Sequence, residues 1–159
     1  MIDGKEQFFM MRAIELAIEG ARANSGGPFG AVIVKNGEII GEGWNQVTST
    51  SDPTAHAEIV AIRRACEKLG TFHLEGCVIY TSCEPCPMCL GAIYWAKLEK
   101  IFYSCTRKDA ASIGFADDFI YEEMSLRPQD RSVKAMCILR EQGLKAFKFW
   151  EDKPEKVLY

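Results

Sequence analysis

His56, Glu58, Cys86 and Cys89 are the residues of this 159-residue chain whose types and spacing suit chemistry at a metal ion. Cys86 and Cys89 stand three apart, so on a helix both sulfurs share one face and can reach one cation. His56 adds an imidazole. One imidazole and two thiolates make three protein ligands, which leaves the fourth tetrahedral position to water. That is the arrangement of a catalytic zinc, whereas four protein ligands close a structural one. Zinc lowers the pKa of bound water to about 7, so a nucleophile is available at neutral pH. Glu58, two residues after His56, can sit beside that water rather than on the metal. It would take the water's proton and return it to the substrate, a role typically worth about 10²–10⁴ in rate. Cys83 could supply a fourth thiolate, but a closed site would leave Glu58 without a water to act on.

Two helix starts must carry these groups. The apolar spacing of Ile59, Ile62, Ala65, Cys66 and Leu69 marks a helix that stops at Gly70, with His56 and Glu58 at its head. The stretch Glu84-Pro85-Cys86-Pro87-Met88-Cys89 opens a second helix running to about Ala96, since proline is tolerated only in a first turn. Positive partial charge and free N–H groups at a helix start favour the thiolate that zinc needs.

Around them, residues 5–23 read as an amphipathic helix broken by Asn24-Ser25-Gly26-Gly27-Pro28. Ala31-Val32-Ile33-Val34, the turn Asn36-Gly37 and residues 38–44 form a hairpin. Strands follow at residues 77–81 and 101–104, with a fifth expected at residues 133–139 and a final helix at residues 140–151. Residues 106–131 read as loop and short helix. Strands alternating with helices after a hairpin imply one mixed sheet covered on both faces.

Composition narrows the class. With 48% apolar and 26% charged residues and no linker-like tract, residues 1–159 are expected to form a single domain. Nineteen basic against 22 acidic side chains leave a net charge of −3, which disfavours a broad nucleic-acid footprint. No apolar run approaches the roughly 20 residues that span a bilayer. The charged start, Met1-Ile2-Asp3-Gly4-Lys5-Glu6, has no signal-peptide core, so the expected compartment is the cytosol. An odd count of seven cysteines argues against a disulfide framework. Cys66, Cys77, Cys105 and Cys137 are expected in the core, as small hydrophobes. His73 is expected as a solvated or packing residue in a loop.

The pairing of His56-Ala57-Glu58 with Pro85-Cys86-Pro87-Met88-Cys89 is the H-x-E and P-C-x-x-C signature of zinc nucleobase deaminases. With Gly27-Pro28-Phe29-Gly30-Ala31-Val32-Ile33-Val34, Asp52-Pro53-Thr54-Ala55-His56-Ala57-Glu58 and residues 80–96, the chain resembles the cytidine-deaminase-like superfamily, and within it the small bacterial guanine deaminases. The resemblance implies a three-layer α/β/α sandwich with a mixed five-stranded sheet, one zinc per chain on His56, Cys86 and Cys89, and Glu58 as proton shuttle. It implies substrate contacts from Asn45, whose amide offers donor and acceptor, and from Phe29 against the base plane. In the segment Gly114-Phe115-Ala116-Asp117-Asp118-Phe119 it places Asp117 on the ligand, where a carboxylate suits the adjacent N1–H and 2-amino donors of guanine. It further implies a homodimer that exchanges C-terminal segments, with Tyr159 completing the partner's pocket.

The activity expected is hydrolysis of guanine to xanthine and ammonia: activated water attacks C2 and Glu58 protonates N3. A guanine-like amino-triazine is an alternative substrate. A tRNA adenosine deaminase shares the zinc motif but needs a basic RNA path. Here Lys145, Lys148, Lys153 and Lys156 interleave with Glu141, Glu151, Asp152 and Glu155, as on a solvated face. A zinc-stabilised binding module without catalysis would have no use for Glu58.

Overall fold

The computed structural model describes residues 4–159; Met1, Ile2 and Asp3 of the charged N-terminus lie outside it. The chain forms two compact units, Met1–Asp117 and Asp118–Tyr159.

The first unit is built on a sheet of four strands in the order β2-β1-β3-β4, with β1 Gly30–Lys35, β2 Glu38–Trp44, β3 Cys77–Cys83 and β4 Lys100–Cys105. β1 runs antiparallel to β2 and β3, and β4 lies parallel to β3. Asn36 and Gly37 both take positive φ, 51° and 82°, as the tight hairpin turn requires. Alternation along the strands then divides the core. Val32, Val34 and Tyr80 face one side, where Phe9, Ala13 and Leu16 of α1 (Gly4–Arg22) cover them. Ala31, Ile33 and Ile79 face the other, packed with Ala57, Ala61 and Ala65 of α3 (Ala57–Leu69) and Ile93 of α4 (Pro87–Trp95). The three layers follow from that alternation.

α3 lies close on β2 because Gly41 and Gly43 carry no side chain. A Cβ at Gly43 would fall 2.6 Å from the backbone nitrogen of Ala61, closer than atoms pack. Arg12 fastens the outer end, donating Nε to Glu42 Oε1 at 2.8 Å and a second nitrogen to Oε2 at 3.1 Å. A short α2 (Val47–Thr50) bridges β2 to α3, and α5 (Arg107–Ser112) follows β4.

The second unit holds α6 (Asp118–Ser125), a 3-10 turn (Pro128–Asp130) and α7 (Arg140–Asp152). The final helix agrees with its expected span. The fifth strand does not form: among the described residues the sheet has four strands, and residues 133–139 are bends and coil. Val133, Met136, Ile138 and Leu139 are exposed there. Their β propensity describes a side-chain preference, but a strand also needs a hydrogen-bonded neighbour, and this stretch has no ladder. Two cysteine assignments also change. Cys77 is buried and Cys66 partly so, but Cys105 at the end of the exposed strand β4 and Cys137 in the second unit are open to solvent.

Candidate metal centre and base pocket

His56 is the N-cap residue of α3 and Cys86 the N-cap of α4, each with extended φ/ψ, and Pro87 occupies the first turn of α4. The helix therefore begins one residue after Cys86, later than the sequence suggested. Both donors leave the chain at the step from extended to helical backbone, where N–H groups are unpaired and the helix dipole is positive. Cys89 lies one turn into α4 and Glu58 in the first turn of α3, both buried.

His56 Nδ1 lies 3.5 Å from Cys86 Sγ and 3.5 Å from Cys89 Sγ. Zinc–sulfur and zinc–nitrogen bonds of usual length at a tetrahedral angle separate such donors by about 3.6 Å, so the spacing fits that ion. These three residues are the group of His, Cys, Asp or Glu side chains among the described residues whose donor atoms converge for a metal, all within 4.8 Å of one another. Cys83 is not part of it. Its sulfur points to the Thr106 carbonyl at 3.5 Å, and burial pushes its thiol up to about 11, which keeps the proton on.

The electrostatics suit a cation. A hydrogen bond from Cys89, together with the His56 ring, holds the Cys86 thiol down to about 4 despite burial. The same pairing with Cys86, then burial, pushes the Cys89 thiol up. A divalent ion held by both sulfurs would compensate both thiolate charges. The imidazole of His56 is raised above its ordinary value, first by its bond to Cys86. Burial lifts the Glu58 carboxyl above the usual carboxylate range, and Glu58 Oε2 accepts from Cys89 Sγ at 3.4 Å.

The residues expected to meet a base divide between the units. Asn45 follows β2, is 5% exposed, and holds Phe29 through its own N–H, which donates to the Phe29 carbonyl at 2.9 Å. The next residue, Gln46, donates to Ala55 O at 2.9 Å, one residue before His56. Phe29 is half-buried at the start of β1. Asp117 is half-buried, and its charge acts on His56 and Cys83, so it lies in the electrostatic reach of the donor cluster. Tyr159 belongs to the second unit and is exposed.

Phe115 was missed in the sequence. Its ring meets Phe29 edge-to-face with centroids 5.0 Å apart. A Cβ on Gly27 would come within 3.0 Å of both rings, so that glycine leaves space for the pair. The signal was the phenylalanine two residues before Asp117. A second clamp holds the same segment: Glu84 Oε1 pairs with the Arg107 guanidinium at 2.6 Å, and Glu84 Oε2 accepts from the Arg107 backbone N–H at 3.1 Å.

A three-layer α/β unit with His, Cys, Cys and a buried glutamate at facing helix starts defines a metal-site hydrolytic class. The family model for the cytidine and deoxycytidylate deaminase zinc-binding region matches residues 3–105, and the chain belongs to that family. Within it, the chain is 51% identical to the guanine deaminase of Bacillus subtilis (strain 168), over 95% of this chain and 97% of that one. The X-ray structure of guanine deaminase from Bacillus subtilis superposes with a TM-score of 0.94 at 50% identity, covering 96% and 98% of the two chains. A tRNA-specific adenosine deaminase of Aquifex aeolicus (strain VF5) is 46% identical over 66% of this chain and 68% of its own.

Proposed function

We propose that the protein hydrolyses guanine to xanthine and ammonia. The observation that carries this is the 51% identity to a guanine deaminase over 95% of the chain, joined to a donor triad whose spacing fits zinc. His56, Cys86 and Cys89 would hold one zinc per chain. When bound, the ion lowers the pKa of water and polarises the reacting centre as a Lewis acid. Glu58 takes a proton from the attacking water and delivers it to N3 of the base as the oxygen bonds to C2. The proton of the new C2 hydroxyl then passes to the amino nitrogen, the C2–N bond breaks, and ammonia leaves as C2=O forms. Phe29 packs on the base plane, Asn45 and Asp117 read its edge, and Tyr159 of the exchanged C-terminal segment completes the pocket of the partner chain.

Residues 1–159 act as one deaminase domain in this reading, working in the cytoplasm; among the described residues no helix is long and apolar enough to cross a membrane. A homodimer exchanging C-terminal segments is supported by apolar surface in both units. Tyr94 and Trp95 on α4 are exposed, as are Val133, Met136, Ile138, Phe147 and Phe149 in the second unit. Nucleic acid is a poor fit. Lys148 pairs with Glu151 at 3.3 Å and Asp152 at 2.9 Å, so positive charge on α7 is answered locally.

Ammonia release from guanine, a guanine-like triazine and a tRNA anticodon stem-loop tests the substrate, with turnover expected on guanine. Turnover of the RNA alone would overturn the proposal. Co-refolding Glu58→Ala chains with chains ending before Tyr159 tests the exchange: restored activity is expected, and none, with a monomer in light scattering, refutes it.

A further inference from the structure

The Asn45 side chain is oriented more tightly than contact with a base requires. Its Oδ1 accepts from the backbone N–H of Gly27 at 3.2 Å and of Val47 at 3.2 Å. A flipped amide would set an NH2 group against two N–H donors, so only one orientation satisfies both. Nδ2 is then the free end, with no hydrogen-bond partner among the described residues. It is not sealed away either, because the side-chain polar atom both sealed and unpartnered among the described residues is His73 Nε2.

Gly26 makes this orientation possible. A Cβ there would overlap Asn45 Oδ1 and approach the Asn45 backbone oxygen to 2.8 Å and its carbonyl carbon to 3.0 Å. The backbone does not itself demand glycine, since Gly26 is absent from the positive-φ glycines Gly37, Gly70, Gly76 and Gly114. Space alone explains the residue.

We infer that Gly26 is a positioning residue for specificity: by leaving room for Asn45 Oδ1 between two backbone N–H groups, it fixes the amide with Nδ2 outward, so the pocket reads a hydrogen-bond acceptor on the base. On guanine the acceptor that sets it apart from a 6-aminopurine is O6; a base with an amino group at that place would present a donor to a donor. The inference rests on the proposed contact between Asn45 and the base.

The experiment compares Gly26→Ala, Asn45→Ala and Asn45→Asp in ammonia release from guanine, with zinc content and melting temperature measured on each, and Gly4→Ala, whose Cβ meets open space, as control. Gly26→Ala, folded and zinc-loaded, should raise KM about tenfold, the scale of one lost net hydrogen bond, with a much smaller change in kcat. A merely structural glycine would lower melting temperature and active fraction and leave KM alone. Asn45→Asp keeps Oδ1 on its two N–H partners and turns an oxygen toward the acceptor, so its kcat/KM should fall below that of Asn45→Ala by about tenfold. If Asn45→Ala matches the unaltered chain, the base contact itself falls. If Asn45→Ala is impaired but folded Gly26→Ala keeps its KM, the positioning role alone falls. Should Gly26→Ala fail to fold, Asn45→Asp equal to or better than Asn45→Ala overturns the inference.

Discussion

Around His56, the candidate metal donors sit on or just inside two helix starts, so a few consecutive residues set the geometry within each. Around Asn45 the polar partners are backbone amides of Gly27 and Val47, and the aromatic wall joins Phe29 to Phe115 of the segment after α5. In the metal half, therefore, only the pairing of α3 with α4 is long-range; the recognition half is assembled from several loops. A family can therefore keep one chemistry while its substrates diverge, because loops that touch the base can change without disturbing either helix start.

The largest expected effects lie in the metal half. His56→Ala, Cys86→Ala and Cys89→Ala should each lose zinc by elemental analysis and guanine turnover with it. Retention of stoichiometric zinc by any of the three would remove that residue from the coordination set. Glu58→Gln should keep the metal and lower kcat by about 10²–10⁴, measured as ammonia release. Zinc loss in that variant would make Glu58 a ligand instead of a proton carrier.

Phe115→Ala probes the recognition half. Loss of an edge-to-face pair worth about 0.5–1.5 kcal/mol should raise KM for guanine by about two- to tenfold with zinc content unchanged. A fall in zinc would show the two halves to be mechanically coupled. Cys83→Ala should leave metal and turnover in place, since its thiol is committed to the Thr106 carbonyl.

The smallest effect belongs to the scaffold that both halves share. The Arg12 guanidinium holds the Glu42 carboxyl below its ordinary range. That contribution is complete above the usual carboxylate pKa and is lost as pH falls through the lower folded value. Melting of Glu42→Gln should therefore lie slightly below that of the unaltered chain at neutral pH, with the gap closing on acidification. A gap that widens in acid would reverse the sign.

What was legible in the sequence follows the same division. His56, Glu58, Cys86 and Cys89 could be found because their spacing and the flanking prolines are short-range signals, and the hairpin because Asn36-Gly37 admits few other turns. Phe115 and the Gly26 void were not, since strand pairing and loop packing create those contacts between distant segments. The expected strand at residues 133–139 failed for a related reason. Propensity is a property of the segment, whereas a ladder depends on what lies beside it. Exposed Cys105 shows the converse: apolar neighbours in sequence did not make it part of the core, because it ends β4, the edge strand of the sheet among the described residues.

X-ray absorption at the zinc edge of the purified protein tests the three-donor centre most directly. The expected spectrum contains two sulfurs at about 2.3 Å, one imidazole nitrogen at about 2.0–2.1 Å and one further oxygen scatterer. Three sulfurs, or a shell filled entirely by side chains, would contradict a site open to water.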